Sequence, residues 1–79
     1  MDSFLEKNVP VIASFDSGGR ISPLYIRING ESHKVHSFWQ RPSFMNTVEF
    51  SCQIEDNGIL KSLNLVYRIK ECIWAIKPG

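Results

Sequence analysis

The stretch TVEFSCQIEDNGILKSLNLVY, residues 47 to 67, decides the fold. Val48, Phe50, Cys52 and Ile54 alternate with Thr47, Glu49, Ser51, Gln53 and Glu55, the period-two pattern of a strand with one buried and one solvated face. Asn57-Gly58 follows, a pair that tolerates the left-handed backbone of a tight hairpin turn. Folding the chain there sets Ile54 opposite Lys61, Cys52 opposite Leu63, Phe50 opposite Leu65 and Val48 opposite Tyr67. The apolar sets coincide without adjustment, and a slip of one residue would turn all of them to solvent.

The same reasoning extends in both directions. Val9, Val11, Ala13 and Phe15 alternate with Pro10, Ile12, Ser14 and Asp16 up to Gly18-Gly19, read as a two-residue turn. That turn pairs Phe15 with Ser22, Ala13 with Leu24, Val11 with Ile26 and Val9 with Ile28. Pro23 cannot donate to a ladder, so an edge position or a bulge is expected beside it. Asn29-Gly30 is the next turn, pairing Ile28 with Glu31, Ile26 with His33 and Leu24 with Val35. The third strand runs to Arg41 and a longer connection, residues 42 to 46, leads into Thr47. A last turn at Lys70-Glu71 pairs Ile69 with Cys72, Tyr67 with Trp74 and Leu65 with Ile76. The expected fold is all-β: a six-strand antiparallel meander over residues 9 to 77, rolled into a small, partly open barrel. Residues 1 to 8 read as an arm or a single helical turn, with Ser3 and Glu6 at capping-box spacing and Phe4-Leu5 laid over the barrel.

Composition sets the function classes. With 79 residues, 43% hydrophobic and 22% charged, the chain is one globular domain. Nine basic against eight acidic residues leave +1, which argues against a general polyanion binder. The charge is unevenly spread, with Arg20, Arg27, Lys34 and Arg41 in the first half and Glu49, Glu55 and Asp56 in a band after it. Asp2 and Glu6 stand where a signal peptide would be basic and then apolar, and the longest apolar run, Cys72 to Ile76, is far below the roughly 20 residues of a membrane helix. A cytoplasmic protein with no membrane association is expected. Two cysteines do not make a disulfide scaffold, and in the derived register Cys52 and Cys72 stand about 20 Å apart, beyond the reach of about 7 Å that a disulfide allows. Both are expected in the core.

The segment SHKVHSFWQR, residues 32 to 41, concentrates the chemistry, with both histidines and a tryptophan. Strand alternation divides it. His33, Val35 and Trp39 fall on the core side, and Lys34, His36 and Phe38 look outward. His33 and His36 therefore cannot chelate one ion together, no Cys-x-x-Cys is present, and neither a metal nor a cofactor is expected. Glu55 and Asp56 point to opposite sides of their strand, so the acidic band reads as a solvated face. No elbow or phosphate loop presents a nucleophile, and the chain is not read as an enzyme. What remains is the outer face of the first three strands, where Tyr25, Arg27, Lys34, His36 and Phe38 interleave aromatic and basic groups beside Ile12. Such a face suits a protein partner or self-association. The alternative is single-stranded nucleic acid, with bases stacked on the aromatic rings and phosphates met by the basic side chains.

From Pro23-Leu24-Tyr25 through Asn29-Gly30 to Lys34-Val35 and Trp39, the chain resembles small β-rich bacterial domains of unknown function with an SH3-like barrel. In these an extended strand, a glycine-containing turn and a strand with the pattern tyrosine-or-histidine-x-valine recur. The resemblance implies a bacterial source and a β-barrel, and brings no activity with it.

Overall fold

A computed structural model describes residues 6–42 and 45–77. The described chain is all-β, with strands β1 (Lys7–Asn8), β2 (Val11–Phe15), β3 (Ile21–Ile28), β4 (Glu31–Arg41), β5 (Thr47–Asp56), β6 (Ile59–Arg68) and β7 (Ile73–Lys77). They pair antiparallel in the order β1-β7-β6-β5-β4-β3-β2. Seven strands replace the six expected because Lys7–Asn8, assigned to the arm, form a strand of their own, and the strand expected from Val9 begins only after Pro10. Pro10 has no N–H to donate, so one ladder cannot run through it. Before it, Lys7 and Asn8 pair with Ile76 and Ala75 of β7; after it, β2 pairs with β3. The Val9 N–H donates to the Trp74 carbonyl at 3.0 Å and the Arg27 N–H to the Pro10 carbonyl at 3.0 Å. One ribbon thus ties both ends of the sheet, which curls into a half-barrel. The expected helical turn is overturned at Lys7–Asn8, which is strand; its remainder, with Phe4 and Leu5, lies outside the described residues.

The β5–β6 ladder has the expected register throughout; β6–β7 has it from Asn64–Lys77 to Arg68–Ile73, with Tyr67 on Trp74 and Leu65 on Ile76, but the expected Ile69–Cys72 pair gives way to a turn over residues 69 to 72. At Asn57-Gly58 both residues have positive φ, 54° and 79°, as the tight hairpin requires. Two bulges alter the rest. The Asp16 carboxylate accepts from the Gly18 N–H at 2.9 Å and the Arg20 N–H at 2.8 Å. With Asp16 N–H also bonded to the Arg20 carbonyl, the loop closes around residues 17 to 19 rather than 18 and 19 alone. That shifts the first pairs to Phe15–Ile21, Ser14–Ser22 and Ala13–Pro23, until Leu24 bulges out and restores the expected Ile12–Tyr25 and Val11–Ile26. Leu24 therefore leaves the core face it was assigned, and Pro23 enters it, fully buried.

The second bulge is at His36. Val35 pairs with Ile54 and Ser37 with Gln53, leaving His36 without an opposite number. Because side chains alternate, one extra residue exchanges the faces of everything after it. Phe38 lands opposite Cys52 and packs its ring edge on Phe50 at 6.0 Å, while Trp39 lands opposite Ser51 and is 56% exposed. The expected sides of Phe38 and Trp39 are reversed. β3 and β4 stop pairing at Tyr25–Lys34, so the two bulges mark the corner at which the sheet bends.

The core inside this curl is Ile26, Phe50, Cys52 and Leu65, with Val9, Val35, Val48, Ile54 and Trp74 around them. Phe50 stacks on Trp74 at 5.9 Å, and Tyr67 packs on Trp74 at 4.8 Å. Each large apolar side chain so buried contributes about 1.5–3 kcal/mol. Cys72 is not among them. It occupies the exposed β6–β7 turn with a left-handed φ of 57°, its N–H bonded to the Arg68 carbonyl at 2.8 Å. Among the described residues no helix is long and apolar enough to cross a membrane.

Candidate functional site

The outer face of β2, β3 and β4 is built by three short ladders. Ile12 lies opposite Tyr25, Tyr25 opposite Lys34, and Arg27 opposite Ser32. Their side chains share one side because directly paired residues in an antiparallel sheet do. Ile12 is 63% exposed and Tyr25 42%, and the bulge delivers Leu24, 41% exposed, beside them. Pro10, Ile12, Tyr25, Arg27 and Ser32 surround a depression of about 140 Å³. Of the five residues assigned to this face, Tyr25, Arg27 and Lys34 are there together and exposed, and His36 is exposed at the bulge bordering it. Phe38 is not on it, having turned against Phe50.

A second arrangement was not anticipated. At the mouth between the β3–β4 and β5–β6 turns, a pocket of about 390 Å³ has Ile28, Ile54, Leu63 and Ile76 along its apolar wall. Glu31, His33, Asp56 and Lys61 stand at its polar side. The His33 Nδ1 lies 3.2 Å from the Glu55 carbonyl, and its Nε2 faces the Glu31 carboxylate at 3.9 Å. Lys61 donates to Asp56 Oδ2 at 2.8 Å. That hydrogen bond, helped by the charges of Lys61 and His33, holds the Asp56 carboxyl below the usual carboxylate range despite some desolvation.

The acidic band is therefore no bare solvated face. Asp56 belongs to the mouth, and Glu49 pairs with Lys77 at 3.2 Å. Glu31 and His33 are two apart on β4 and share a side, a signal present in the sequence. Asp56 joins them only through the β4–β5 register, which no turn signature announces. A third, shallower groove opens where β1 leaves β7 for β2, between Val9–Val11 and Cys72–Trp74.

No protein-family model matches this chain, and no curated protein or solved structure matches it at a significant level.

Proposed function

We propose that the protein is a small binding module, without catalytic chemistry of its own, that takes a protein partner or a second copy of itself on the outer face of β2–β4. The observation that carries this reading is the contiguous exposed set of Ile12, Leu24 and Tyr25 around a depression, rimmed by Arg27 and Lys34. An apolar centre with a charged rim is the anatomy of a protein interface. The reading takes the half-barrel as an SH3-like and bacterial domain on the likeness carried by residues 23 to 39, and as cytoplasmic on the two unpaired cysteines and the charged residues Asp2 and Glu6 near the start of the sequence.

Single-stranded nucleic acid is the second reading, and Arg27 and Lys34 beside Tyr25 favour it. It is the weaker of the two because such platforms stack successive bases on several aromatic rings. Phe38 has left this face for the Phe50 side, although 36% exposed, and Trp39, exposed on the outer side of β4 beyond the bulge, pairs with Ser51 outside the β2–β4 ladders, so Tyr25 is the one aromatic residue in the register pairs of this face. The test compares the chain with its Ile12→Asp/Tyr25→Asp variant in light scattering across concentration and in affinity capture. Self-association or a partner lost in the variant and retained at about 0.5 M salt, where a Debye length of about 4 Å largely screens exposed charges, supports the reading. The same result for both proteins sinks it. A parallel titration with mixed-sequence single-stranded RNA and DNA decides the second reading, since nucleic-acid binding would weaken steeply with salt and on Lys34→Ala.

A further inference from the structure

We propose that the mouth of the half-barrel is a binding site for one divalent transition-metal ion of the zinc class, held by His33 Nε2 and by carboxylate oxygens of Glu31 and Asp56. This goes beyond the binding face, which is a different surface of the molecule.

The donor atoms of Glu31, His33 and Asp56 already lie within 4.8 Å of one another. Around a tetrahedral zinc with bonds of about 2.0–2.1 Å, donors stand roughly 3.4 Å apart. Closing to that spacing takes side-chain movement, and Glu31, whose side chain is 78% exposed, is free to swing about its three torsions.

The independent observation concerns the histidine tautomer. The Glu55 carbonyl can only accept, so the His33 Nδ1 at 3.2 Å carries the proton and donates it. In neutral His33 the lone pair is then on Nε2, which faces a carboxylate oxygen at 3.9 Å. The ring is 11% exposed, and with no buried side-chain nitrogen or oxygen left unpartnered among the described residues, Nε2 keeps an opening to solvent, the path by which an ion reaches it. Two electron-rich atoms turned toward each other accommodate a cation between them. Fixing the far nitrogen on a backbone carbonyl is also how metal-ligating histidines are held in orientation.

The donor set selects the ion class. One imidazole with carboxylates suits zinc and its neighbours, whereas calcium and magnesium take all-oxygen shells. Lys61 is the competitor: it engages Oδ2 of Asp56, and the carboxylate has a second oxygen with which to meet an ion. With three protein donors, a fourth position stays open to water on the pocket side, beside Ile28, Ile54 and Leu63. Glu31 and His33 follow the β3–β4 turn and Asp56 precedes the β5–β6 turn, so a bound ion ties the two hairpins together.

The test is calorimetric titration of the full chain with Zn²⁺ at neutral pH, with thermal melts and the ¹⁵N signals of the His33 ring. We expect one site with Kd below about 100 μM, a raised melting temperature, and a coordination shift at Nε2 while Nδ1 stays protonated. Glu31→Gln, Asp56→Asn and His33→Ala should each weaken binding about ten-fold or more. Lys61→Ala should tighten it, and His36→Ala and Cys72→Ser should leave it unchanged. The two carboxylate variants change polar side chains at the rim, so they report even if His33→Ala does not fold. A Kd above that limit, indifference to Glu31→Gln and Asp56→Asn, or loss on His36→Ala or Cys72→Ser would overturn the site.

Discussion

Cys52 lies on the core side of β5 opposite Leu63, 1% exposed, and burial pushes its thiol from an ordinary 9.0 up to about 11. The unfolded chain ionises this thiol near 9.0, while the folded protein keeps it protonated for about two further units. Across that window the unfolded state binds fewer protons, so stability is intact below pH 9 and falls as pH rises, by about 2–3 kcal/mol at the upper end. The slope of stability against pH between 8 and 11, measured by urea denaturation, should be shallower in Cys52→Ala than in the parent. Equal slopes would show that burial of the thiol is not what folding works against. The Tyr67 phenol shifts upward too, through hydrogen bonding with the Cys72 thiol and then desolvation, and adds to the alkaline loss with the same sign. Since thiolate is the reactive form, the two cysteines also separate chemically. Alkylation at pH 8 should label one thiol per native chain and none in Cys72→Ser, with Cys52 reacting only in denaturant. Rapid labelling of both in the native state would contradict the buried position of Cys52.

Strands respond as units, and β4 is the one in which a single residue decides the faces. With His36 unpaired, Phe38 belongs to the core side and Trp39 to solvent, so truncation should hurt in the order opposite to side-chain size. Phe38→Ala removes a ring packed on Phe50 and should cost about 1–3 kcal/mol, whereas Trp39→Ala should stay within about 0.5 kcal/mol. Urea denaturation of both variants settles it, and a larger loss for Trp39→Ala would restore the straight strand. The same bulge explains what the sequence discloses. Between Val48 and Tyr67 an unbroken alternation and an Asn-Gly turn leave one consistent register, and that register is found. A bulge inserts a residue without compositional mark, so His36 looks like any other outward position in an alternating run. Pro23 did mark the first bulge, because a missing N–H is visible in the sequence. Tyr25, Arg27 and Lys34 were legible as one face since they lie between the two bulges, in a β3–β4 ladder that carries neither; Phe38 was not, since it follows the second. The mouth site escaped for a related reason: Glu31 and His33 follow from alternation alone, but Asp56 depends on the β4–β5 register, which a connection as long as residues 42 to 46 does not fix.

At the scale of the whole molecule, the curl depends on a ribbon of a few residues that joins the two ends of the sheet. Val9, 6% exposed, is bonded to Trp74 on one side of it, and Pro10 accepts from Arg27 on the other. Two side-chain links hold the ribbon from outside: Glu6 pairs with Arg68 across β7, and Lys7 reaches Asn29 at 3.3 Å in the β3–β4 turn. Pairing of β1 with β7 joins opposite ends of the chain and requires every intervening hairpin, so its loop closure carries the largest sequence separation in the fold. If closure is an integral part of the folded state, the amide protons of Val9 and Arg27 should exchange only through global unfolding, with protection close to that of Leu65 in the central ladder. If instead the sheet breathes open at the ribbon, these two amides should exchange by a separate, cheaper opening while β5 and β6 remain protected. Native-state hydrogen exchange across a urea series distinguishes the two, because global opening gives all three amides one denaturant slope. We expect the common slope: Val9 is a member of the same buried cluster as Leu65 and Trp74, and opening the ribbon would expose that cluster along with the two hydrogen bonds.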